Sequence, residues 1–220
     1  MSKRNVTLNN EPVMLLGRSI REKEVMPNFT MLNPEMQERN LSLFKERFKV
    51  ITSFLSIDTP VCYKQVAHFN KWAKELSSDV ALIGISNDLP FTLARAQEKE
   101  NFTNMALMSD YLHHSFGINY GLLVKKMHVL ARTVLILDQN NVLRYLQVVP
   151  EITQEPNYDD VKETLKTLLE SPAEEVLATT VEECAPCTGS VKPLSPEEIN
   201  ARMRNINKWE RQDDIKIYRE

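Results

Sequence analysis

Nowhere in these 220 residues does an apolar run approach the roughly 18 residues that a membrane span needs, and the opening MSKRNVTLNNEP lacks the apolar segment of a secretory signal. The chain therefore reads as soluble, intracellular and cytoplasmic. Cysteine is scarce: there are three, an odd number, which argues against a structural disulfide framework and leaves redox chemistry, metal binding or simple burial. A block of basic residues is also missing. With 27 Lys and Arg against 30 Asp and Glu the net charge is −3, and no basic stripe studded with aromatics occurs, so neither a nucleic-acid surface nor a membrane surface is expected as a partner. No internal repeat is evident.

What the chain does contain is a regular alternation of strand and helix signals. VTLNNEPVMLL reads as a β-hairpin turning at Asn-Asn-Glu-Pro, and FKVITSFLS (48–56) is a near-continuous apolar run of the kind that fills a buried central strand. A helix follows, opened by Pro60 at a first-turn position and carrying Cys62, Val66, Phe69, Ala73 and Leu76 at helical spacing. VALIGIS (80–86) predicts a strand, PFTLARAQEKE (90–100) a helix and MALMSD (105–110) another strand. RTVLILD (132–138) and VLRYLQVVP (142–150) flank a hairpin turn at Gln139-Asn140-Asn141, and NYDDVKETLKTLLE (157–170) is an amphipathic helix. The pattern predicts an α/β protein, a mixed central sheet flanked by helices.

After Glu170 the texture changes. Residues 171–183 are acidic and poor in large apolar residues, and read as a linker. The segment 184–220 restarts with new punctuation: Ser195 caps a helix from Pro196, Glu198 completes a capping box, and IKIY begins a strand. With about 37 residues and little apolar area it is not expected to fold alone, and reads as a partly ordered helical tail.

The stretch SIDTPVC (56–62) raises the chemical question. At a helix start the unpaired N–H groups and the helix dipole favour an anion, so a first-turn thiol is favoured as thiolate and Cys62 becomes a candidate nucleophile. Thr59, three positions earlier, can turn its hydroxyl to the sulfur and to an oxygen of a bound substrate. On local spacing alone the alternative stands equally: Cys62 as a small apolar core residue and Thr59 as a helix cap.

DTPVC, LPFTLAR (89–95), SFGINYGLL (115–123) and LLVKKMHVLARTVLILD (122–138), in this order, resemble the thiol peroxidases, a bacterial peroxiredoxin subfamily. The similarity runs from about residue 5 to 169. It implies a thioredoxin-like fold with an N-terminal β-hairpin over 1–170 and a homodimer. It also implies reduction of hydrogen peroxide or organic hydroperoxides without metal or prosthetic group, and a thioredoxin-like reductant. By this resemblance Cys62 is the peroxidatic cysteine, Thr59 its hydroxyl partner, and Arg132 the arginine that polarises the peroxide. A solvated surface arginine is the alternative for Arg132, but it heads a strongly apolar strand.

Two positions depart from the family pattern. Its motif is Pro-x-x-x-Thr-x-x-Cys, and the proline position is Leu55 here, which predicts a distorted pocket. The family's resolving cysteine falls on Gln97, so the usual intramolecular disulfide cannot form. A weakened peroxiredoxin serving as redox sensor or binding protein is the alternative these departures raise.

The remaining thiols, Cys184 and Cys187, form a Cys-x-x-Cys pair that can be a dithiol switch, half of a zinc site, or two tail cysteines. Zinc wants four ligands, and no histidine follows His128 to complete a local set. About 14 residues separate Cys184 from the last predicted helix, and an extended chain spans about 3.3 Å per residue, so either thiol can reach Cys62 as a possible resolving partner. A second resemblance covers this segment: CAPCTGSVKPLSPEEINARMRNINKWE is similar to the N-terminal part of pterin-4a-carbinolamine dehydratases. It implies a fusion in which 184–220 is a truncated dehydratase-like segment. That family's histidine-centred motif lies beyond the similar stretch, and all four histidines (His68, His113, His114, His128) precede residue 170, so no dehydratase chemistry is expected.

Overall fold

The chain enters through a hairpin whose two corner residues, Asn9 (φ 53°) and Asn10 (φ 65°), both adopt the left-handed conformation that a tight hairpin turn demands and asparagine tolerates. This computed structural model describes residues 5–171, 209–212 and 216–219, which fall in two units, Met1–Glu170 and Ser171–Glu220. In the first unit β1 (Val6–Leu8) pairs antiparallel with β2 (Glu11–Val13). β3 (Leu15–Leu16) comes next, followed by β4 (Thr30–Leu32) and β5 (Glu38–Asn40). Then comes the alternation that the apolar runs predict: β6 (Phe48–Ser53), α1 (Pro60–Ala73), β7 (Val80–Ser86), α2 (Pro90–Glu100) and β8 (Ala106–Ser109). A short α3 (Ser115–Asn119) and β9 (Leu123–Val124) lead to the β10 (Thr133–Asp138) and β11 (Leu143–Val148) hairpin, and α4 (Tyr158–Glu170) closes the unit.

Seven strands form the central sheet in the order β11-β10-β6-β7-β8-β4-β5. β6, β7 and β8 run parallel, joined by the crossover helices α1 and α2, while the outer pairings are antiparallel. The mixed sheet and its flanking helices make the thioredoxin-like arrangement expected for residues 1–170. The apolar runs are continuous because both faces of the sheet are covered. In β6, Val50 joins the cluster around Cys62, Val66, Phe69 and Leu165, whereas Ile51 joins the opposite cluster around Phe29, Phe116 and Tyr120. Val134 and Leu135 divide in the same way along β10. One charge interrupts the run: Lys49 is buried, its ammonium donates to the Asp138 carbonyl at 2.7 Å, and burial lowers its pKa.

Thr59 occupies the cap position of α1 without a capping bond from its side chain, and Pro60 fills the first helical position. A missing cap bond costs about 1 kcal/mol. Burying Val66, Phe69 and Trp72 on one face contributes about 1.5–3 kcal/mol for each large apolar side chain, so packing rather than capping holds α1 in place.

In the second unit the backbone of β12 (Trp209–Gln212) pairs antiparallel with β13 (Lys216–Arg219), where the IKIY signal predicted a strand. The described part of the tail is thus a hairpin. The helix expected from Pro196, the linker beyond Ser171, and Cys184 and Cys187 lie outside the described residues. Among the described residues no helix is long and apolar enough to cross a membrane.

Candidate active site

Cys62 sits in the first turn of α1 and is fully buried. Arg132, the residue before β10, is 1% exposed and turns its guanidinium onto the sulfur, with Nη2 donating to Cys62 Sγ at 3.3 Å. A buried guanidinium must have its donors satisfied, because leaving water costs several kcal/mol otherwise. Nε donates to the Ile152 carbonyl at 2.8 Å, and Nη1 donates to Gln65 Oε1. Gln65, one turn beyond Cys62 on the same face of α1, is itself fully buried; its amide donates to the Thr52 hydroxyl and, at 3.2 Å, to the Ser53 carbonyl. The guanidinium is therefore held by the loop after β11 and by Gln65 of α1, which β6 anchors in turn, with its remaining edge on the thiol.

The distant motifs explain how that loop and that arginine are placed. Glu151 accepts from the backbone N–H groups of Asn9 and Asn10 at 3.0 and 2.8 Å and from the Thr7 hydroxyl at 2.7 Å, clamping the entry hairpin to the segment that carries Ile152. Hydrogen bonds from the Thr153 and Thr7 hydroxyls, then the Asn10 N–H, hold the Glu151 carboxyl down at about 2. SFGINYGLL serves the other side. Asp110, whose carboxyl burial pushes up to about 6, accepts from the Phe116 and Gly117 N–H groups at 3.0 and 2.8 Å. Gly121 (φ 65°) turns the chain where a β-carbon would fall 2.2 Å from the Arg18 carbonyl oxygen, and Ala131 N–H then donates to Leu122 O at 2.8 Å. The Ala131 carbonyl receives the Ser53 hydroxyl at 2.8 Å, which sets the approach to Arg132.

Thr59 departs from expectation. Its hydroxyl donates to the Ser56 carbonyl at 3.0 Å, the same oxygen that accepts the Thr59 N–H at 3.1 Å, and among the described residues no hydrogen bond links it to Sγ. The turn 56–59 offers this carbonyl close by, so the local bond wins over the sulfur. Leu55 does not disrupt the site. Half-buried, it packs against both the cluster that buries Cys62 and the one formed by Val6, Val124, Ala131 and Ile152, while the Arg132–Cys62 contact forms all the same. Gln97 is partly buried on α2.

The histidines stand apart from this arrangement. His113 meets Glu38 at 3.0 Å, whereas His114 accepts at Nδ1 from the Asn87 amide, 3.1 Å away, and lies beside His128. Burial, then the neighbouring His128, lowers the His114 pKa. His68 stacks on Tyr158 with ring centroids 3.8 Å apart, tying α1 to α4. Among the described residues no group of three or more His, Cys, Asp and Glu could hold a metal ion.

A buried thiol with a guanidinium on its sulfur, at the start of a helix, can stabilise a thiolate and the negative charge that leaves when that thiolate attacks an electrophile. Comparison with known proteins bears on which electrophile. The sequence profile of the redoxin family matches residues 21–162. A thiol peroxidase of Streptococcus parasanguinis is 37% identical over 162 residues, 74% of this chain and 98% of its own length. One of Bacillus subtilis is 35% identical over 164 residues, again 74% of this chain and 98% of its own. Among solved structures, a peroxiredoxin-like protein from Aquifex aeolicus superposes with a TM-score of 0.71 at 34% identity, covering 75% of this chain and 97% of that one. A thiol peroxidase from Chromobacterium violaceum shares the fold with a TM-score of 0.67 at 21% identity, over 74% of this chain and 96% of its own.

Proposed function

The chain belongs to the redoxin family and, within it, to the thiol peroxidases; it is a thiol-dependent peroxidase, and from that premise we propose that Cys62 is its peroxidatic cysteine. The observation that carries the assignment is the buried Arg132 guanidinium 3.3 Å from Sγ. In the proposed step the Cys62 thiolate attacks one oxygen of hydrogen peroxide or an organic hydroperoxide. An S–O bond forms, the O–O bond breaks, and the departing hydroxide or alkoxide takes a proton to leave as water or alcohol. Arg132 holds the thiolate and meets the charge on the departing oxygen, with the first-turn N–H groups of α1 adding to the same stabilisation. Thr59 contributes once a peroxide oxygen offers its hydroxyl a better acceptor than the Ser56 carbonyl. The sulfenic acid is returned to thiol by a thioredoxin-like donor, the reductant the family implies. Homodimerisation and a cytoplasmic location belong to the same reading, and sedimentation and cell fractionation check them.

Resolution distinguishes this chain from its family pattern. Gln97 carries no sulfur, so oxidised Cys62 should persist as sulfenic acid and pass readily to the sulfinic state when peroxide is in excess. Mass spectrometry of each cysteine after one equivalent of peroxide is the test. A dimedone-type trap should label Cys62 in the chain carrying Cys184→Ser and Cys187→Ser, with sulfinic acid building up as peroxide rises. Fast, quantitative Cys62–Cys184 or Cys62–Cys187 disulfide in the parent protein would overturn the expectation and make the tail a resolving arm.

For 184–220 we propose a dehydratase-like segment without dehydratase activity. Moving protons at neutral pH calls for a positioned titratable group, most often histidine, and this segment contains none. Incubation of the 220-residue protein with a 4a-hydroxytetrahydropterin should show only the spontaneous rate of dehydration. A clear acceleration would refute this.

A further inference from the structure

A single peptide unit ties the turn before Cys62 to the end of the sheet. The Ile57 N–H donates to Asp88 Oδ2 at 2.8 Å, and among the described residues it is the one hydrogen bond that joins the backbone of 55–58 to a distant part of the chain. The carbonyl of that same peptide, Ser56 O, points the opposite way, because a trans peptide sets its N–H and C=O on opposite edges of one plane. That oxygen receives both the Thr59 N–H, at 3.1 Å, and the Thr59 hydroxyl, at 3.0 Å. Asp88 is itself anchored to two paired strands. Ser86 Oγ, at the end of β7, donates to the same Oδ2 at 2.8 Å, and Ser109 Oγ, opposite it at the end of β8, donates to the Asp88 carbonyl. Both serines are buried.

We propose that Asp88 is a positioning residue for peroxide reduction, acting through the Ser56–Ile57 peptide to set where the Thr59 hydroxyl stands when it turns from its local carbonyl to a peroxide oxygen. The inference rests on the reading of Cys62 as the peroxidatic residue and of Thr59 as its hydroxyl partner. Three observations carry it. The contact is fixed at both ends: Ile57 is buried in the cluster that encloses Cys62, and Asp88 is held by strand-end serines, so the peptide plane between them cannot rotate without breaking a bond. The Thr59 N–H shares the Ser56 oxygen with the hydroxyl, so the turn stays closed when the hydroxyl leaves, and only the Thr59 side-chain torsion has to change. A carboxylate on the N–H edge also polarises the peptide and strengthens the carbonyl on the far edge as an acceptor. Asp88 thus sets both the acceptor that the hydroxyl must leave and the place from which it starts.

Both bonds to the Asp88 side chain fall on one oxygen, Oδ2. Asparagine can therefore present its single side-chain oxygen at that place and keep the Ile57 N–H and the Ser86 hydroxyl satisfied. Alanine leaves both without this acceptor, and glutamate carries the oxygen one methylene too far.

The full chain, carrying Cys184→Ser and Cys187→Ser so that one thiol is read, is mixed rapidly with hydrogen peroxide and the loss of the Cys62 thiol is followed. Dimedone labelling of this background comes first. Absence of label on Cys62 at that stage would count against the peroxidatic reading itself, separately from Asp88. Asp88→Ala should slow the oxidation about tenfold, on the scale of one lost charge-assisted hydrogen bond, and Asp88→Asn should recover most of that loss. In a Thr59→Val chain, which is slowed by lack of the hydroxyl, Asp88→Ala should cost no more than about twofold further, while its effect on urea unfolding stays the same in both backgrounds. That contrast separates positioning from stability, since a protein merely weakened by the substitution would lose rate by the same factor in either background. Should Asp88→Ala fail to fold, Asp88→Glu carries the same cycle. A parental rate in folded Asp88→Ala, an Asp88→Asn protein as slow as Asp88→Ala, or equal slowing with and without the Thr59 hydroxyl would each overturn the proposal.

Discussion

Cys62→Ser should bring peroxide consumption down to the uncatalysed background, a loss on the order of 10³-fold or more, because the substitution removes the only atom that accepts the peroxide oxygen. Serine at this place keeps a hydroxyl where Arg132 Nη2 now donates to sulfur, so the buried guanidinium keeps a partner and the variant should fold. That separation makes the experiment informative. Thermal unfolding close to that of the parent protein, together with abolished turnover, places the defect in the chemistry. Cys184→Ser and Cys187→Ser should leave the first oxidation step at its parental rate. Peroxide reduction by Cys62→Ser at the parental rate would remove the residue from the reaction and send the search to the tail thiols.

How far such a site can be read from sequence depends on how local its physics is. The strands β6, β7 and β10 are legible because each is a short apolar run buried on both faces, and α1 because its buried residues recur at helical spacing. The Asn-Asn corner and the position of Pro60 follow from backbone preferences that need no tertiary information. β4 and β5 escape notice for the opposite reason. They are three residues each, and β4 meets β8 through the single pairing of Leu32 with Ser109, so their existence depends on where the rest of the chain has gone. Cys62 and Arg132 are placed by resemblance; their 3.3 Å approach depends on a chain of contacts from Asn9 through Glu151 to Ile152 that no spacing reveals. The partner that the Thr59 hydroxyl takes here, a carbonyl in its own turn, is not visible in the spacing of the motif. Gln65 is missed altogether, although a signal exists: it stands three residues after Cys62, on the stripe of α1 otherwise filled by Val66 and Phe69, and a polar residue on a buried face has a partner to find.

That partner makes the second large effect two-sided. Arg132→Met should slow the reaction of Cys62 with peroxide by about one to three orders of magnitude, since a well-placed donor to the developing charge is worth about 2.7–4 kcal/mol of barrier. The same substitution orphans Gln65 Oε1 and the Ile152 carbonyl, each buried acceptor costing about 1–3 kcal/mol, so lost stability must be separated from lost catalysis. Gln65→Leu provides the separation. It leaves the guanidinium in the protein but removes the acceptor that orients Nη1, so Arg132 should still face the sulfur, less tightly held. The expected order of peroxide rates is parent, then Gln65→Leu slower by about tenfold, then Arg132→Met slowest, with both variants less stable to urea than the parent. If rate followed stability instead, so that both variants reacted at the parental rate once their unfolded fractions were subtracted, Arg132 would be a buried strut of the fold and the charge on the departing oxygen would be met by the first-turn N–H groups of α1 alone. Arg132→Lys sharpens the distinction. An ammonium supplies the same charge without the planar fork that reaches Gln65, Ile152 and Cys62 together, so its rate should fall between those of Gln65→Leu and Arg132→Met.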